Sequence, residues 1–494
     1  MQRTQKTLDS FSCGDRTESE VRVNEAQSME YTESVDTEPC YDLIQKVIAD
    51  DNIDMALKQV VGNRGAPGVD GMTVYELEPW LKLNREILKD ELESGRYAPT
   101  PVRRKEIPKD NGDVRKLGIP TVRDRLVQQM IAQVLEPIYE PTFSEGSFGF
   151  RPGRSPIDAV KKVREYYDQG YVMAVGIDLE KFFDRLQHDF MMNILRERIK
   201  DKTLIHIIKK FLRAGVILPD GLVEATWEGA PQGGPLSPIL SNIYLDKLDK
   251  ELERRGLAYT RFADDTLILV KTKRSAERVC QSMTNYIEKN LKLKVNREKT
   301  EIGSPKTLKY LGFKLVRVSS GTGLTPHRKS IIKFRKRIIT ITKRNRGVSA
   351  DRVPSELKSY MKGWISYYGA TTSNNQIKRL DEWVRRRVRQ YVYKQWKNRY
   401  TRVRNLTSLC PKYMLCPDGK PVTEWVKGCW GTTKTNSYWH AVKNKIVHEA
   451  MSNKWLKSKG MYFMMDDWEA VKERWTNRRM PYGPYGGVRG QPAE

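Results

Sequence analysis

Three aspartates in this chain have the side-chain type and the spacing that metal-dependent chemistry requires. Asp178 follows the apolar run at residues 171–177, and Asp264 and Asp265 stand next to each other further along the chain. Adjacent carboxylates repel one another, and a third carboxylate nearby increases that repulsion. Because divalent cations with oxygen ligands would neutralise such a cluster, these three residues are the candidate metal ligands.

A carboxylate cluster of this kind suits nucleotidyl transfer. Two Mg²⁺ ions about 4 Å apart would lower the pKa of an attacking hydroxyl and stabilise the leaving oxygen, with Mn²⁺ as a substitute. Asp178 and Asp264 would bridge both ions. The alternative for Asp264 and Asp265 is an ordinary turn, since Asp is common in turns. Taken alone the pair favours the turn, and it gains force only in combination with Asp178.

Apolar segments of the right period predict the elements that carry the aspartates. The run at residues 171–177 predicts a buried strand that delivers Asp178 at its carboxyl end. Two β-prone runs flank Asp264 and Asp265 within residues 260–270 and predict a hairpin with both aspartates at its tip. Apolar runs of helical and strand period alternate from about residue 41 to residue 315, which indicates a mixed α/β body.

A scaffold helix is predicted shortly before that hairpin. Ser237 and Pro238 have the side chains of an N-cap and a first-turn residue. The apolar residues that follow recur at four-residue spacing and define one helical face, namely Leu240, Tyr244, Leu248 and Leu252.

The charge balance indicates a polyanionic partner. The chain has 88 Lys and Arg against 61 Asp and Glu, a formal net charge of +27. Such an excess favours nucleic acid. An anionic membrane is disfavoured, because no apolar run reaches the length of a bilayer span and the N-terminus lacks the regions of a signal peptide. We expect a soluble, intracellular protein without a membrane partner.

The six cysteines include no C-x-x-C pair, so a disulfide framework or a zinc ribbon is poorly supported. Cys410 and Cys416 are the closest pair, and His440 and His448 follow them. A metal site there stays open as an alternative to ordinary reduced cysteines.

Seven segments stand in a fixed order along the chain: GIPTVRD at 118–124, SFGFRP at 147–152, DLEKFFD at 178–184, PQGGPLSP at 231–238, FADD at 262–265, LKVN at 293–296 and LKYLGF at 308–313. Together they resemble the successive reverse transcriptase blocks of group II intron proteins. The earlier segment GAPGVDG at 65–71 is similar to the N-terminal extension of that family. One departure is Phe262, where the family usually has Tyr.

The resemblance implies an RNA-directed DNA polymerase and assigns roles to further residues. Leu179 joins the three aspartates in the metal-binding set. Lys109 and Arg115 match the residues that grip the incoming triphosphate, for which solvated loop charges are the alternative. Phe183 matches the aromatic that packs under the sugar and excludes a 2′-hydroxyl, with plain core as the alternative. Gln232 lines the nucleotide pocket, where the following glycines would let the backbone approach a ligand closely.

Residues 356–368 resemble the maturase-specific thumb, called domain X. Their spacing puts Leu357, Tyr360, Met361 and Trp364 on one helical face, which is more typical of core than of a cofactor site. Basic stretches around them are candidates for phosphate contacts: Arg328, Lys329, Arg335, Arg337, Arg344, Arg346, Arg385, Arg386 and Arg387. Four nearby aromatic residues are candidates for stacking on unpaired bases, although some of them must be core: Tyr391, Tyr393, Trp396 and Tyr400.

The resemblance predicts an α/β right-hand polymerase, with fingers and palm containing an antiparallel sheet, a helical thumb/maturase domain and a small C-terminal region. The predicted units are an acidic, disordered tail at 1–39, an N-terminal extension of the fingers at 40–100, fingers and palm at 101–315, the thumb at 316–400, and a DNA-binding region at 401–494. The last region matches no HNH endonuclease, so we expect no second-strand cleavage.

The implied partners are intron RNA, an RNA template with a DNA primer, target DNA and dNTPs. The expected location is the bacterial cytoplasm, in association with the nucleoid. Two alternatives stay open: a splicing-only RNA-binding maturase, and a domesticated reverse transcriptase in repair or defence. Intact Asp178, Asp264 and Asp265 argue against the first, because a decayed site has no reason to keep repelling carboxylates. A catalytic intron RNA flanking the reading frame would argue against the second.

Overall fold

The computed structural model describes residues 39–108, 114–218, 220–230, 233–319, 321–343, 345–348, 352–411, 414, 422–435 and 437–476. The predicted acidic tail lies outside the described residues, except for Pro39. So do Lys109, Gln232, Arg344 and Cys416.

The first part of the chain is mixed helix and strand. Its elements are α1 Leu43–Ile48, α2 Asp50–Gly62, α3 Leu77–Glu93, β1 Val102–Pro108, β2 Val114–Ile119, α4 Val122–Tyr139, α5 Pro156–Asp168, β3 Met173–Ile177, α6 His188–Arg198, α7 Lys202–Leu212, β4 Val216–Ile217 and β5 Val223–Glu224. It continues with α8 Leu236–Arg254, β6 Ala258–Phe262, β7 Asp265–Val270, α9 Lys273–Lys289, β8 Glu301–Gly303, β9 Phe313–Val318 and β10 Gly321–Pro326.

The described remainder of the chain is helical. Its elements are α10 Arg328–Ile341, α11 Arg352–Tyr368, α12 Asn375–Gln395, α13 Arg399–Ser408, α14 Thr423–Thr432, α15 Tyr438–Ala441, α16 Lys445–Ala450, α17 Asn453–Ser458 and α18 Met464–Thr476. None of the described helices combines the length and the apolar character that a bilayer crossing requires.

A four-stranded sheet in the order β6-β7-β3-β8 contains the strands next to Asp178, Asp264 and Asp265. All three of its pairings are antiparallel, and β3 lies between β7 and β8. Helices α8 and α9 contribute Leu240, Tyr244, Met283 and Ile287 to the main core, which includes Val175 and Ile268 of the sheet. Burial of these apolar side chains holds the sheet rigidly under the candidate site. The antiparallel sheet of the predicted palm is therefore confirmed.

A second four-stranded sheet has the order β2-β1-β4-β5 and contains the hairpin formed by β1 and β2. Strands β1 and β2 pair antiparallel from Arg103↔Ile119 to Pro108↔Val114. Most of their side chains are exposed. Helix α4, which follows, is almost fully buried and begins where the Thr121 side chain accepts a hydrogen bond from the Asp124 backbone N–H.

The predicted helix after the PQGGPLSP segment is present, but its start was wrong. Helix α8 begins at Leu236, and no side chain caps its N-terminus. Ser237 therefore lies within the first turn instead of at the N-cap. The four residues at the predicted spacing, Leu240, Tyr244, Leu248 and Leu252, are all buried.

The maturase-like helix packs as its spacing predicted. In α11, Leu357, Met361 and Trp364 are buried, and Tyr360 packs partly buried against the same cluster. Their partners include Phe334 of α10 and side chains of α12 and α18. The apolar stripe is therefore core, as expected.

A separate hydrophobic core packs the C-terminal helices together, and it includes some of the aromatic residues predicted to stack on bases. Tyr393 belongs to this core with Trp425, and Tyr391 is buried against the preceding cluster. Trp396 is partly buried, whereas Tyr400 is 74% exposed. Tyr391 and Tyr393 were therefore wrong as base-stacking candidates, because burial against their neighbours leaves no ring face for a base.

Candidate active site

Strand β3 ends at Ile177 and delivers Asp178 to the edge of the sheet. The Asp178 carbonyl oxygen accepts a hydrogen bond from the Asn296 backbone N–H at 2.8 Å. Leu179 forms an isolated antiparallel bridge with Val295. The main chain on both sides of the first aspartate is therefore fixed by β pairing.

The two adjacent aspartates lie on the hairpin between β6 and β7. Phe262 pairs with Asp265, which leaves Ala263 and Asp264 as the two turn residues. Ala263 adopts a left-handed conformation with φ of 56°. The predicted hairpin with both aspartates at its tip is confirmed.

The pairing of β3 with β7 brings Asp178 next to Asp265, and Asp264 precedes Asp265 in the turn. Ile177 pairs with Thr266, so Asp178 and Asp265 each lie one residue beyond that pair, on neighbouring strands. The Asp265 side chain is exposed to solvent where it lines a cleft, and protein surrounds its carboxylate on the other sides. This burial, reinforced by the charges of Asp264 and Asp178, raises the pKa of Asp265 to about 6. The positive charge of Lys309 lowers the pKa of Asp265 and so partly offsets this increase.

The cleft has a volume of about 490 Å³ and contains charges of both signs. Asp178, Asp265 and Glu298 line it together with Lys309 and Lys329. Among the described residues, no three His, Cys, Asp or Glu side chains already converge on a single metal position. The donor chemistry nevertheless fits Mg²⁺, because clustered carboxylate oxygens whose mutual repulsion raises a pKa are stabilised by a hard divalent cation.

Two of the residues expected to bind dNTP, Phe183 and Arg115, lie within the described part of the chain. Phe183 lines a cleft of about 600 Å³ together with Arg104, Lys116 and Gly118. Its ring is partly buried, with its centroid 5.1 Å from that of Phe182. Arg115 is exposed on β2. Phe183 therefore contacts both the core and the cleft.

The glycine pair after Gln232 makes its close approach to protein atoms. A Cβ on Gly233, whose φ is 134°, would lie 2.6 Å from the Gly118 carbonyl oxygen. A Cβ on Gly234 would lie 2.0 Å from the Gln128 Oε1 atom. These glycines therefore seat the loop against β2 and α4.

Two family models match successive parts of the chain. Residues 107–315 match the reverse transcriptase (RNA-dependent DNA polymerase) family, and residues 331–409 match the group II intron, maturase-specific domain.

Curated relatives agree with these models. Protein YkfC of Escherichia coli strain K12 is 36% identical over 309 residues, which cover 54% of this chain and 81% of YkfC. The group II intron-encoded protein LtrA of Lactococcus lactis subsp. cremoris is 31% identical over 297 residues, which cover 47% of this chain and 49% of LtrA.

This chain belongs to the group II intron-encoded reverse transcriptase/maturase family.

Among solved structures, a partial Cas6-RT-Cas1--Cas2 complex is similar, with 23% identity, a TM-score of 0.32, and coverage of 50% of this chain and 42% of that chain. The α/β polymerase fold and the RNA-directed DNA polymerase class follow from the family. Reverse transcriptases generally use divalent metal ions and act on nucleic acid.

The basic residues of this reverse transcriptase/maturase fall into two groups. Arg328, Lys329, Arg335 and Arg337 are exposed on α10. Lys329 also lines the cleft that contains Asp178 and Asp265. The exposed surface of α10 therefore carries positive charge, and Lys329 extends that charge to the cleft lined by Asp178 and Asp265.

The other group makes contacts within the protein. Arg346 pairs with Glu356 at 2.8 Å, and Arg385 pairs with Asp381 at 2.7 Å. Arg386 lies 3.6 Å from the centroid of the Trp439 ring. Arg387 donates hydrogen bonds to Gln390 and Thr342 at 2.7 and 3.0 Å. Of these contacts, Arg386 with Trp439 and Arg387 with Thr342 join α12 to other parts of the chain.

The cysteine region is partly described. Cys410 is half-buried and Cys429 is buried. Burial raises the pKa of the Cys429 thiol to about 11. Within the described part of the chain these cysteines form no metal-binding group with other ligand-type residues.

Sequence reasoning missed two residues that the fold brings to the site. Lys309 lines the cleft that contains Asp178 and Asp265. Arg261 donates a hydrogen bond to the carbonyl oxygen of Ala263 in the aspartate turn. Both lie inside segments that were recognised, LKYLGF and the β6 run. Their charge within largely apolar segments was a signal that could have singled them out.

Proposed function

We propose that this protein copies intron RNA into DNA by two-metal nucleotidyl transfer at Asp178, Asp264 and Asp265, and that it binds the same RNA to assist splicing and retrohoming. The observation that supports the proposal is the β3–β7 register, because Asp178 and Asp265 follow its last pair on neighbouring strands and line one cleft, and Asp264 precedes Asp265 in the turn.

The acidic residues would hold two Mg²⁺ ions through carboxylate oxygens, and Leu179 has only its backbone carbonyl to offer. When bound, the ions would lower the pKa of the primer 3′-hydroxyl and stabilise the leaving oxygen. Lys309 and Lys329 line the same cleft and are placed to contact the phosphates of a primer strand.

The triphosphate would bind in the cleft that Phe183 lines. Arg115, with Lys109, supplies the positive charge that a polyphosphate requires. Phe183 faces that cleft and would contact the sugar, while Gln232 would line the base pocket. A ring under the sugar discriminates against a 2′-hydroxyl by contact alone.

RNA binding for splicing would use the helical region. The domains would follow the predicted division, with the N-terminal extension at 40–100, fingers and palm at 101–315, thumb at 316–400 and DNA contacts at 401–494. The exposed cations of α10 are the best-placed phosphate ligands, and Tyr400, at 74% exposure, is the best-placed stacking aromatic.

A double substitution tests the proposal. Asp264→Asn with Asp265→Asn keeps side-chain size and removes the charge that holds Mg²⁺, so cDNA synthesis on a primed RNA template should fall by roughly a thousandfold or more. Mg²⁺ should also raise the melting temperature of the wild-type protein and not that of the variant. Intron RNA affinity and assisted splicing should survive, because the helical region is unchanged.

The matched control is Asp168→Asn with Asp189→Asn, which removes two exposed carboxylates away from the cleft. It should retain wild-type synthesis. Near wild-type polymerisation by the double active-site variant would show that the catalytic assignment is wrong. Loss of splicing support in a folded variant would show that the two functions share a site.

A further inference from the structure

Arg261 is a fully buried arginine three residues before the first aspartate of the catalytic turn. Its side chain and that of Asp249 on α8 both have 0% exposure. The Arg261 Nε donates to both Asp249 carboxylate oxygens at 2.9 and 3.0 Å, and Nη2 donates to one of them at 2.5 Å. The pair is thus neutralised and well ordered at the base of the hairpin.

The same guanidinium contacts the turn itself. Arg261 Nη1 donates a hydrogen bond to the carbonyl oxygen of Ala263 at 3.0 Å. Ala263 has a φ of 56°, a left-handed conformation that residues with a Cβ rarely adopt. The next two residues are Asp264 and Asp265. The hydrogen bond therefore holds a strained residue in the conformation that sets the direction of both carboxylates.

The SFGFRP loop supports the turn from the other side. The Arg261 backbone N–H donates to Gly146 O, and the Phe148 N–H donates to Arg261 O, both at 2.8 Å. Arg261 Nη2 donates to Ser147 Oγ at 2.8 Å. A Cβ on Gly149 would lie only 2.1 Å from the Ala263 nitrogen. Loop and turn are in direct backbone contact.

Asn242 of α8 completes the network. Its Oδ1 accepts from Arg261 Nη1 at 3.2 Å, and its Nδ2 donates to Gly149 O at 2.9 Å. One guanidinium thus connects the turn, the loop and the helix. Only the planar, five-donor fork of arginine can make all of these bonds at once.

We propose that Arg261 is a positioning residue for metal binding, which fixes the Asp264–Asp265 turn through the Ala263 carbonyl. This inference rests on the proposed two-metal function. Stability is a weak explanation for the residue, because replacing a buried ion pair with well-packed apolar residues of similar size is often neutral or stabilising. What the pair adds is a fixed conformation at Ala263.

Arg261→Lys tests this role, since lysine keeps the charge beside Asp249 and loses the fork. The probe is Mn²⁺ alone, titrated into the protein and followed by electron paramagnetic resonance. We expect the dissociation constant for Mn²⁺, and the Mg²⁺ concentration for half-maximal primer extension, to rise by about tenfold. Intron RNA affinity should not change, because the substitution leaves the exposed cations of α10 in place.

A second substitution identifies the turn as the point of action. Glycine adopts the left-handed conformation without strain, so an Ala263→Gly background needs no hydrogen bond to hold it. In that background Arg261→Lys should weaken Mn²⁺ binding by less than about threefold. An undiminished effect would show that Arg261 acts elsewhere, and it would overturn the proposal.

Arg254→Lys is the matched control, because Arg254 pairs with Glu251 on the same helix but its side chain is 71% exposed. It should bind Mn²⁺ as the wild type does. Wild-type Mn²⁺ affinity in folded Arg261→Lys would refute the proposal. If that variant does not fold, Ser147→Ala removes a single bond from the guanidinium and should still weaken Mn²⁺ binding. Unchanged affinity there would likewise refute it.

Failure of the proposed function would look different. In that case the wild-type protein would bind no Mn²⁺ in a manner sensitive to Asp264→Asn with Asp265→Asn, and it would synthesise no cDNA. The positioning proposal fails on its own if the wild-type protein shows both properties and either the Arg261 variants leave them unchanged or the Ala263→Gly background does not diminish the effect of Arg261→Lys.

Discussion

Phe183 has one side in the core and the other in a cleft. Its edge packs against Phe182, while the rest of the ring lines the cavity beside Gly118 and Lys116. The two alternatives from the sequence, sugar contact and plain core, are therefore compatible in one side chain. Substitution separates them, because the two roles affect different measurements.

Phe183→Ala should raise the use of ribonucleotides relative to dNTPs by roughly tenfold or more, because removing the ring makes room for a 2′-hydroxyl. The measurement is single-nucleotide extension with matched rNTP and dNTP, with the melting temperature recorded alongside. Phe190→Ala is a control, since Phe190 packs against the same core through Tyr244. Equal discrimination in wild type and Phe183→Ala, with folding intact, would assign Phe183 to the core.

At the scale of elements, helix α8 carries a second carboxylate that takes no part in the Arg261 network. Asp246 is half-buried, and its buried Oδ1 atom has no hydrogen-bond partner among the described residues. This burial, together with the nearby charge of Asp249, raises the pKa of Asp246 to about 6. Folding therefore favours the protonated form of this side chain.

The sign of the pH effect follows from that direction. A carboxyl whose pKa is raised in the folded state stabilises the fold below its unfolded pKa of about 4 and loses that contribution as pH rises through about 6. Asp246→Asn should therefore raise stability at pH 7, by about 1 kcal/mol, and change it little near pH 4.

Thermal unfolding of both proteins at the two pH values measures this difference. Asp168→Asn removes an exposed carboxylate and should show no such pH dependence. A variant equally stabilised at both pH values, or destabilised at pH 7, would contradict the assignment of Asp246 as a carboxyl strained by burial.

At the scale of the whole molecule, the net charge of +27 favours binding to a polyanion such as RNA. RNA binding should weaken by roughly a decade or more between about 50 and 200 mM salt, because each neutralised phosphate releases counterions. Arg335→Gln with Arg337→Gln, on the exposed face of α10, should reduce the slope of log affinity against log salt by about 1 to 2 units.

Arg96→Gln with Arg297→Gln removes the same charge from two exposed ion pairs elsewhere and should leave the slope unchanged. Filter binding or fluorescence anisotropy with structured intron RNA gives the slopes. A salt-insensitive affinity, or equal slopes for all three proteins, would show that α10 is not a phosphate-binding surface.

The elements that carry the motifs could be predicted from the sequence, because each element depends on the properties of neighbouring residues. An apolar run that ends in Asp178, a β-prone pair of runs around Asp264 and Asp265, and a helical stripe at Leu357 to Trp364 all depend on period and turn preference over a few residues. The structure confirms these elements, and the family comparisons confirm the class of enzyme. The start of α8 was misjudged, since helix ends depend on contacts beyond the local sequence.

Tertiary structure alone decided which charged and aromatic residues are available for function. Composition treats Arg337 and Arg387 alike, yet the first is exposed and the second donates hydrogen bonds to Gln390 and Thr342. It likewise cannot separate exposed Tyr400 from buried Tyr393. The contact of Arg261 with Ser147 joins positions 114 residues apart along the chain, and only packing of the folded molecule brings them together.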